Sequence, residues 1–208
     1  VALVHDWLTG MRGGEKCLEV FCELFPEADL YTLVHIPSKM SDTINKMKVH
    51  TSFLQKIPGI GKNYRYYLPL MPKAIESFNL EGYDLVLSSS HCVAKGIKII
   101  GNANHFCYCF TPMRYIWDMY DDYFRDASYI SKTAIRIFLK YLRRWDLKSA
   151  ENTGVFIAIS AYIKDRILRI YGRDSKVIYP PVDTEKYYYA DDDGKEDYYI
   201  MTLSLIHI

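Results

Sequence analysis

Val1-Ala-Leu-Val-His-Asp-Trp-Leu-Thr-Gly10 runs through Met11-Arg-Gly-Gly-Glu-Lys16 into Cys17-Leu-Glu-Val-Phe-Cys-Glu-Leu-Phe-Pro26. A short apolar run, a polar loop and a helix start follow one another here. From Glu15 onward, Cys17, Leu18, Val20, Phe21, Leu24 and Phe25 recur at i, i+3, i+4 and i+7, which predicts a helix with one apolar face until Pro26 stops it. Asp29–Val34 reads as a second strand. Further strands are predicted at Asp84–Ser88, Lys98–Ile100, Phe106–Phe110, Val155–Ile159 and Lys176–Tyr179, with helical patterns between them, notably over 132–150 and 161–171. Apolar strands alternating with helices predict an α/β fold, a Rossmann-like doubly wound parallel sheet.

The 208 residues are 50% hydrophobic and 25% charged, which excludes disorder and collagen-like structure. A net charge of +1 shows no global bias toward nucleic acid, and none is expected as a partner. No apolar run approaches the ~20 residues of a membrane-spanning helix, and no basic stretch with an apolar signal core opens the chain. The expected location is the cytoplasm. The five cysteines, Cys17, Cys22, Cys92, Cys107 and Cys109, fit reduced core thiols better than a disulfide frame. Cys107 and Cys109 alternate onto one strand face, but neither a Cys-x-x-Cys nor a paired His accompanies them, so no metal is expected. Pro180-Pro-Val-Asp183 breaks regular structure, and Asp191–Asp197 is an acidic turn. The predicted organisation is a domain over 1–180, a linker over 181–197 and the truncated start of a second domain over 198–208. Thr202–Ile208, a strand with no helix after it, leaves open whether these last residues are native sequence.

Three constellations can carry chemistry. Gly13-Gly14 opens the first helix, where free amides stabilise anions, and Arg12, Glu15 and Lys16 add polar groups to the same loop. The alternative is a tight turn without function, since Gly-x-Gly-x-x-Gly is not met. Ser88-Ser-Ser90-His91 follows an apolar strand and so lies at its carboxyl end, where ligands of doubly wound sheets bind; no Gly-x-Ser-x-Gly elbow supports a hydrolase. Thr111-Pro-Met-Arg114-Tyr-Ile-Trp-Asp118 follows the next strand with a cation, aromatics and a carboxylate suited to carbohydrate or nucleotide. Its alternative is a packed turn with an Arg114–Asp118 ion pair. Charge is also segregated: residues 36–75 and 132–148 together hold 13 of the 26 bases but 2 of the 25 acids. The second segment reads as a basic amphipathic helix for an anionic membrane surface, or as a solvated face over a core stripe.

Arg12-Gly-Gly-Glu15, Leu68-Pro-Leu-Met-Pro72, Tyr83-Asp-Leu-Val-Leu-Ser-Ser-Ser-His91 with Ala94-Lys-Gly96, Thr111–Asp118 and Tyr179-Pro-Pro-Val-Asp183 occur in order. Together they resemble the acceptor-side domain of retaining glycosyltransferases of family four, particularly bacterial enzymes of lipopolysaccharide O-antigen or exopolysaccharide assembly. The resemblance implies the first half of a GT-B glycosyltransferase (EC 2.4 class). Such an enzyme moves a hexose, for example mannose, from a nucleotide-sugar donor to a lipid-linked saccharide acceptor with retention. It implies that Gly13 and Gly14 approach the substrates and that His91 contacts the donor sugar as the catalytic histidine. Arg12, Glu15, Lys16, Ser90, Arg114 and Asp118 are expected in substrate binding. The resemblance implies no cofactor and no metal, and an inactive fragment, because the second domain would grip the nucleotide; the segregated basic charge adds to the cytoplasmic location the alternative of a peripheral position on the inner face of the cytoplasmic membrane. Relatives often read His-Thr-Pro where Phe110-Thr-Pro112 stands, so a contact by that histidine is not carried over. A non-catalytic sugar- or nucleotide-binding module is the competing reading.

Overall fold

The computed structural model describes residues 1–118 and 129–186, with 129–136 as backbone only. Seven strands form one parallel sheet: β1 Ala2–His5, β2 Asp29–Thr32, β3 Lys48–Thr51, β4 Leu85–Ser90, β5 Asn104–Cys109, β6 Val155–Ala158 and β7 Ser175–Val177. Their order is β3-β2-β1-β4-β5-β6-β7, so the chain builds outward from β1 in one direction and then from β4 in the other. The helices are α1 Gly13–Leu24, α2 Asp42–Lys46, α3 Ile60–Asn63, α4 Met71–Glu76, α5 Arg114–Trp117, α6 Tyr129–Glu151 and α7 Ala161–Tyr171. The doubly wound architecture expected from the sequence is the one observed.

Side-chain alternation along the strands divides the core between two faces. Leu3, Leu30 and Leu87 meet Leu18 and Cys22 of α1 and Ile44 of α2 on one face. Ala2, Val4 and Val86 meet Met71, Ala74 and Ile75 of α4 and Leu139 and Leu142 of α6 on the other. Cys107, Cys109, Phe156 and Ala158 continue that second face under Ile163 and Ile167 of α7. All five cysteines are buried and free. Burial on both sides explains why β1 and β4 read as near-continuous apolar runs. Ser160 caps α7 by accepting from the Ile163 amide at 3.2 Å, and Gly172 ends it at φ 64°, a left-handed position that favours glycine.

Two elements differ from the sequence reading. Lys98–Ile100 is irregular, lying between the helical turn Ala94–Gly96 and a turn at Gly101 (φ 77°); the next strand starts only at Asn104. Lys48–Thr51 is an edge strand that periodicity does not reveal, because Val49 is its one apolar residue. Asp29 holds this edge, with its carboxylate 2.8 Å from both Lys48 Nζ and His50 Nε2. The acidic turn and the remainder of 187–208 lie outside the described residues.

Candidate functional site

The strand order reverses between β1 and β4, and the crevice outside the carboxyl ends at such a switch point is where doubly wound sheets bind ligands. Asp6 leaves β1 there and His91 leaves β4. The buried Asp6 carboxylate accepts four backbone amides: Val93 at 2.6 Å and Ala94 at 2.7 Å on Oδ1, His91 at 2.7 Å and Cys92 at 3.0 Å on Oδ2. It thereby satisfies the free N–H groups at the start of the Ala94–Gly96 turn. His91 Nδ1 lies 3.0 Å from Asp6 Oδ2, and the Trp7 ring meets the imidazole edge-on at 4.6 Å. With Nδ1 turned to the carboxylate, Nε2 is the nitrogen left for a ligand, on a side chain 28% exposed. Burial alone would raise the Asp6 pKa, but the adjacent His91 ring and its hydrogen bonds hold the carboxyl well below the usual range.

His5, fully buried, places Nδ1 2.7 Å from Ser89 Oγ, while its Nε2 has no hydrogen-bond partner among the described residues. Burial pushes the His5 pKa down to about 4; the Asp6 charge opposes this and His91 adds to it. Gly14 brings α1 onto this histidine: a Cβ there would stand 3.4 Å from Phe110 Cε2 and 3.6 Å from His5 Cε1. Arg12 is the residue before the helix, and its amide donates to Glu15 Oε2 at 3.1 Å. Glu15 is buried, and that burial raises its pKa above the ordinary carboxylate value. Gly13 is open to added volume.

The other sequence-predicted residues have different surroundings. Lys16 Nζ pairs with Glu19 one turn along α1 at 2.8 Å. Ser90 is buried, and its carbonyl accepts from the Phe110 amide at 2.8 Å. Arg114 begins α5, but the Asp118 carboxylate pairs with Arg166 of α7, which replaces the ion pair with Arg114 expected for a packed turn. Behind the His91 turn lies a buried ion pair, Lys95 Nζ to Asp146 Oδ1 at 2.6 Å. The ammonium also donates to Ser149 Oγ at 2.7 Å. Asp146 Oδ2 accepts from Trp117 Nε1 at 2.7 Å and Tyr171 Oη at 2.9 Å. Among the described residues, no three His, Cys, Asp or Glu side chains gather as a metal site.

The structure thus brings His91 and Gly14 against Asp6, Trp7 and His5, with Arg12 and Glu15 at the head of the same helix; Asp6, Trp7 and His5 are residues that sequence reasoning passed over. Their signal was available: His5 and Asp6 are the first polar residues after the apolar run Val1–Val4. Residues 13–186 match the model of Glycosyltransferase Family 4. The chain belongs to glycosyltransferase family 4. No curated protein matches it. As a family 4 glycosyltransferase it takes a sugar donor and an acceptor, and its seven-stranded Rossmann-like sheet is the architecture of a GT-B N-terminal domain. Among its described residues, no helix is long and apolar enough to cross a membrane.

Proposed function

We propose that this glycosyltransferase moves a hexose such as mannose, with retention, from a nucleotide sugar to a lipid-linked saccharide acceptor of the O-antigen or exopolysaccharide kind. In this reading residues 1–180 are the acceptor-side domain, 181–197 the linker and 198–208 the start of the donor-gripping domain. The observation that carries it is the Asp6–His91 pair at the switch-point crevice. A proton on Nδ1, facing the carboxylate, makes Nε2 an acceptor for a sugar hydroxyl. As the nucleotide diphosphate departs, negative charge builds on the phosphate and positive charge on the sugar ring. A preorganised imidazole backed by a fixed carboxylate interacts more strongly with that ring than with the neutral ground state. Gly14 lets the head of α1 close on His5 and Phe110, and in this reading Gly13, Arg12, Glu15, Ser90 and Arg114 supply contacts to the substrates.

Membrane association at the inner face completes the proposal. Ile60, Tyr64 and Met71 pack on the same cluster as Leu139 and Leu142 of α6. The outward residues of both segments are basic and aromatic: Lys62, Tyr66 and Lys73 on one, Lys140, Tyr141 and Arg144 on the other. Each base near an anionic surface contributes ~1 kcal/mol.

In the full-length protein, His91→Ala should lower turnover on the order of a hundredfold, about 3 kcal/mol, with melting temperature and acceptor binding little changed. Undiminished turnover, or a lowered melting temperature with normal turnover in the folded fraction, refutes the assignment. Sedimentation with anionic but not neutral vesicles, lost at high salt, tests the membrane face.

A further inference from the structure

The last residue of β1, His5, carries one ring nitrogen without a hydrogen-bond partner among the described residues. It is registered between Thr32 of β2 and Ser89 of β4, at the carboxyl edge of the sheet. Ser89 Oγ donates to the Val4 carbonyl at 3.4 Å, so toward His5 Nδ1, 2.7 Å away, it acts as acceptor. That assignment puts the proton on Nδ1 and leaves Nε2 as a lone pair. The ring is fully buried, and burial keeps it neutral at physiological pH. A buried acceptor without a donor is destabilising and rare, and it marks a place where a further group completes the bonding. The surroundings select that group. The half-buried Phe110 ring stands edge-on to His5 with centroids 6.5 Å apart, and the His91 ring lies 6.4 Å away. A Cβ on Gly14 would stand in ordinary contact, 3.4 Å from Phe110 and 3.6 Å from His5 Cε1, the ring atom that adjoins Nε2, so the glycine leaves about one atom's room there. Gly14 also lies in the first turn of α1, where backbone N–H groups lack intrahelical acceptors. A lone acceptor beside free donors fits a hydroxyl, which gives one hydrogen bond and takes others. An ionised phosphate brings no proton to Nε2.

We propose that His5 is a specificity-determining residue whose Nε2 accepts a hydrogen bond from a hydroxyl of the donor sugar, reached when the Phe110 ring turns aside, next to the contact made by His91. The inference rests on the glycosyl-transfer reading above and adds a second histidine for the same sugar. Both imidazoles are fixed through Nδ1, His91 by Asp6 at 3.0 Å and His5 by Ser89, and both therefore present Nε2. Two fixed acceptors read two hydroxyls of one sugar, and an analogue that lacks one of them leaves a buried nitrogen unpaired. A hydroxyl of the acceptor saccharide offers the same chemistry, so the test separates the two sources.

The full-length protein is assayed with whichever of GDP-mannose, UDP-glucose and UDP-galactose it transfers, and with the monodeoxy analogues of that donor's sugar. His5→Asn keeps an amide near the Nδ1 position for Ser89 and removes the Nε2 acceptor, whereas His5→Gln carries an amide oxygen out toward the Nε2 position. In the wild type, deletion of one particular hydroxyl should lower kcat/KM about tenfold or more. His5→Asn should lower kcat/KM for the parent donor by a similar factor, and the same deletion should then cost nothing further. His5→Gln should retain more activity than His5→Asn, and the acceptor KM should not change. The wild type gives a second reading that holds even if the variants fold poorly. In imidazole nitrogen NMR spectra the His5 Nε2 resonance should move upfield with the sugar nucleotide and stay in place with the nucleotide alone. Additive losses from His5→Asn and every deoxy donor, coupling to a deoxy acceptor in place of the donor, or an Nε2 resonance that no sugar nucleotide moves overturns the assignment. If the resonance moves with a sugar nucleotide that is bound but never transferred, the His5 contact stands and the transfer reading fails.

Discussion

Asp6→Asn separates the carboxylate's role from its shape. The aspartate gathers four amide donors at 2.6–3.0 Å, two on each oxygen. The amide side chain keeps one oxygen, and so two of these bonds, but sets its own N–H₂ against the other two donors. Each hydrogen bond to a charged acceptor contributes ~1.5–3 kcal/mol, so losing two costs roughly 3–6 kcal/mol. For a chain of this length, each kcal/mol lowers Tm by about 2–4 °C, which predicts a fall of roughly 6–24 °C by circular dichroism. The loss should depend on pH. Because the folded carboxyl titrates below the unfolded one, Asp6 stabilises the fold fully above the ordinary aspartate pKa of ~3.9, and that contribution fades as pH falls below it. The wild-type and Asp6→Asn stabilities should therefore converge on acidification below about 4. Turnover of the folded Asp6→Asn protein should also drop, since His91 loses the carboxylate facing Nδ1. A variant within about 0.5 kcal/mol of wild type at neutral pH, or a gap that stays constant down to acid unfolding, refutes the reasoning.

The Lys95–Asp146 pair should show strong coupling: Lys95→Met or Asp146→Leu alone costs about 3–5 kcal/mol in urea unfolding, and the double variant recovers more than half of the combined loss. Additive losses would mean that the charges do not interact. His105, buried with Nε2 2.8 Å from Ser88 Oγ, and His5 both titrate near 4 when folded, so the unfolded chain binds more protons between pH 6.5 and 4. Stability should therefore fall as pH drops through that window, by up to about 3 kcal/mol per histidine, and His105→Gln should flatten the profile measured by thermal melts. Gly154→Ala places a Cβ 2.5 Å from the His105 carbonyl oxygen, backbone that cannot swing aside, so β5 and β6 must part; an expected loss of about 3 kcal/mol is checked by chemical denaturation.

What could be read from the sequence follows from which interactions are local. The β1–loop–α1 segment and β4 were legible because burial on two faces writes itself as an apolar run, and a helix face writes itself as a 3.6-residue period. β3 was not, because an edge strand with one apolar residue is held by Asp29, nineteen positions before Lys48. Lys98–Ile100 misled for the converse reason: its composition suits a strand, but no strand among the described residues pairs with it. The site divides in the same way. His91 was found because it follows a strand whose carboxyl end is a binding edge, a property of topology. Asp6 was missed because its partners lie 85–88 residues away, and nothing in either segment alone records that β1 and β4 become neighbours. A strand order that reverses at β1 and β4 places the first polar residues after both strands in one crevice. Asp6 is therefore as much a consequence of the topology as His91. In a doubly wound chain, the search for a site should pair the polar exits of the two strands that flank the reversal.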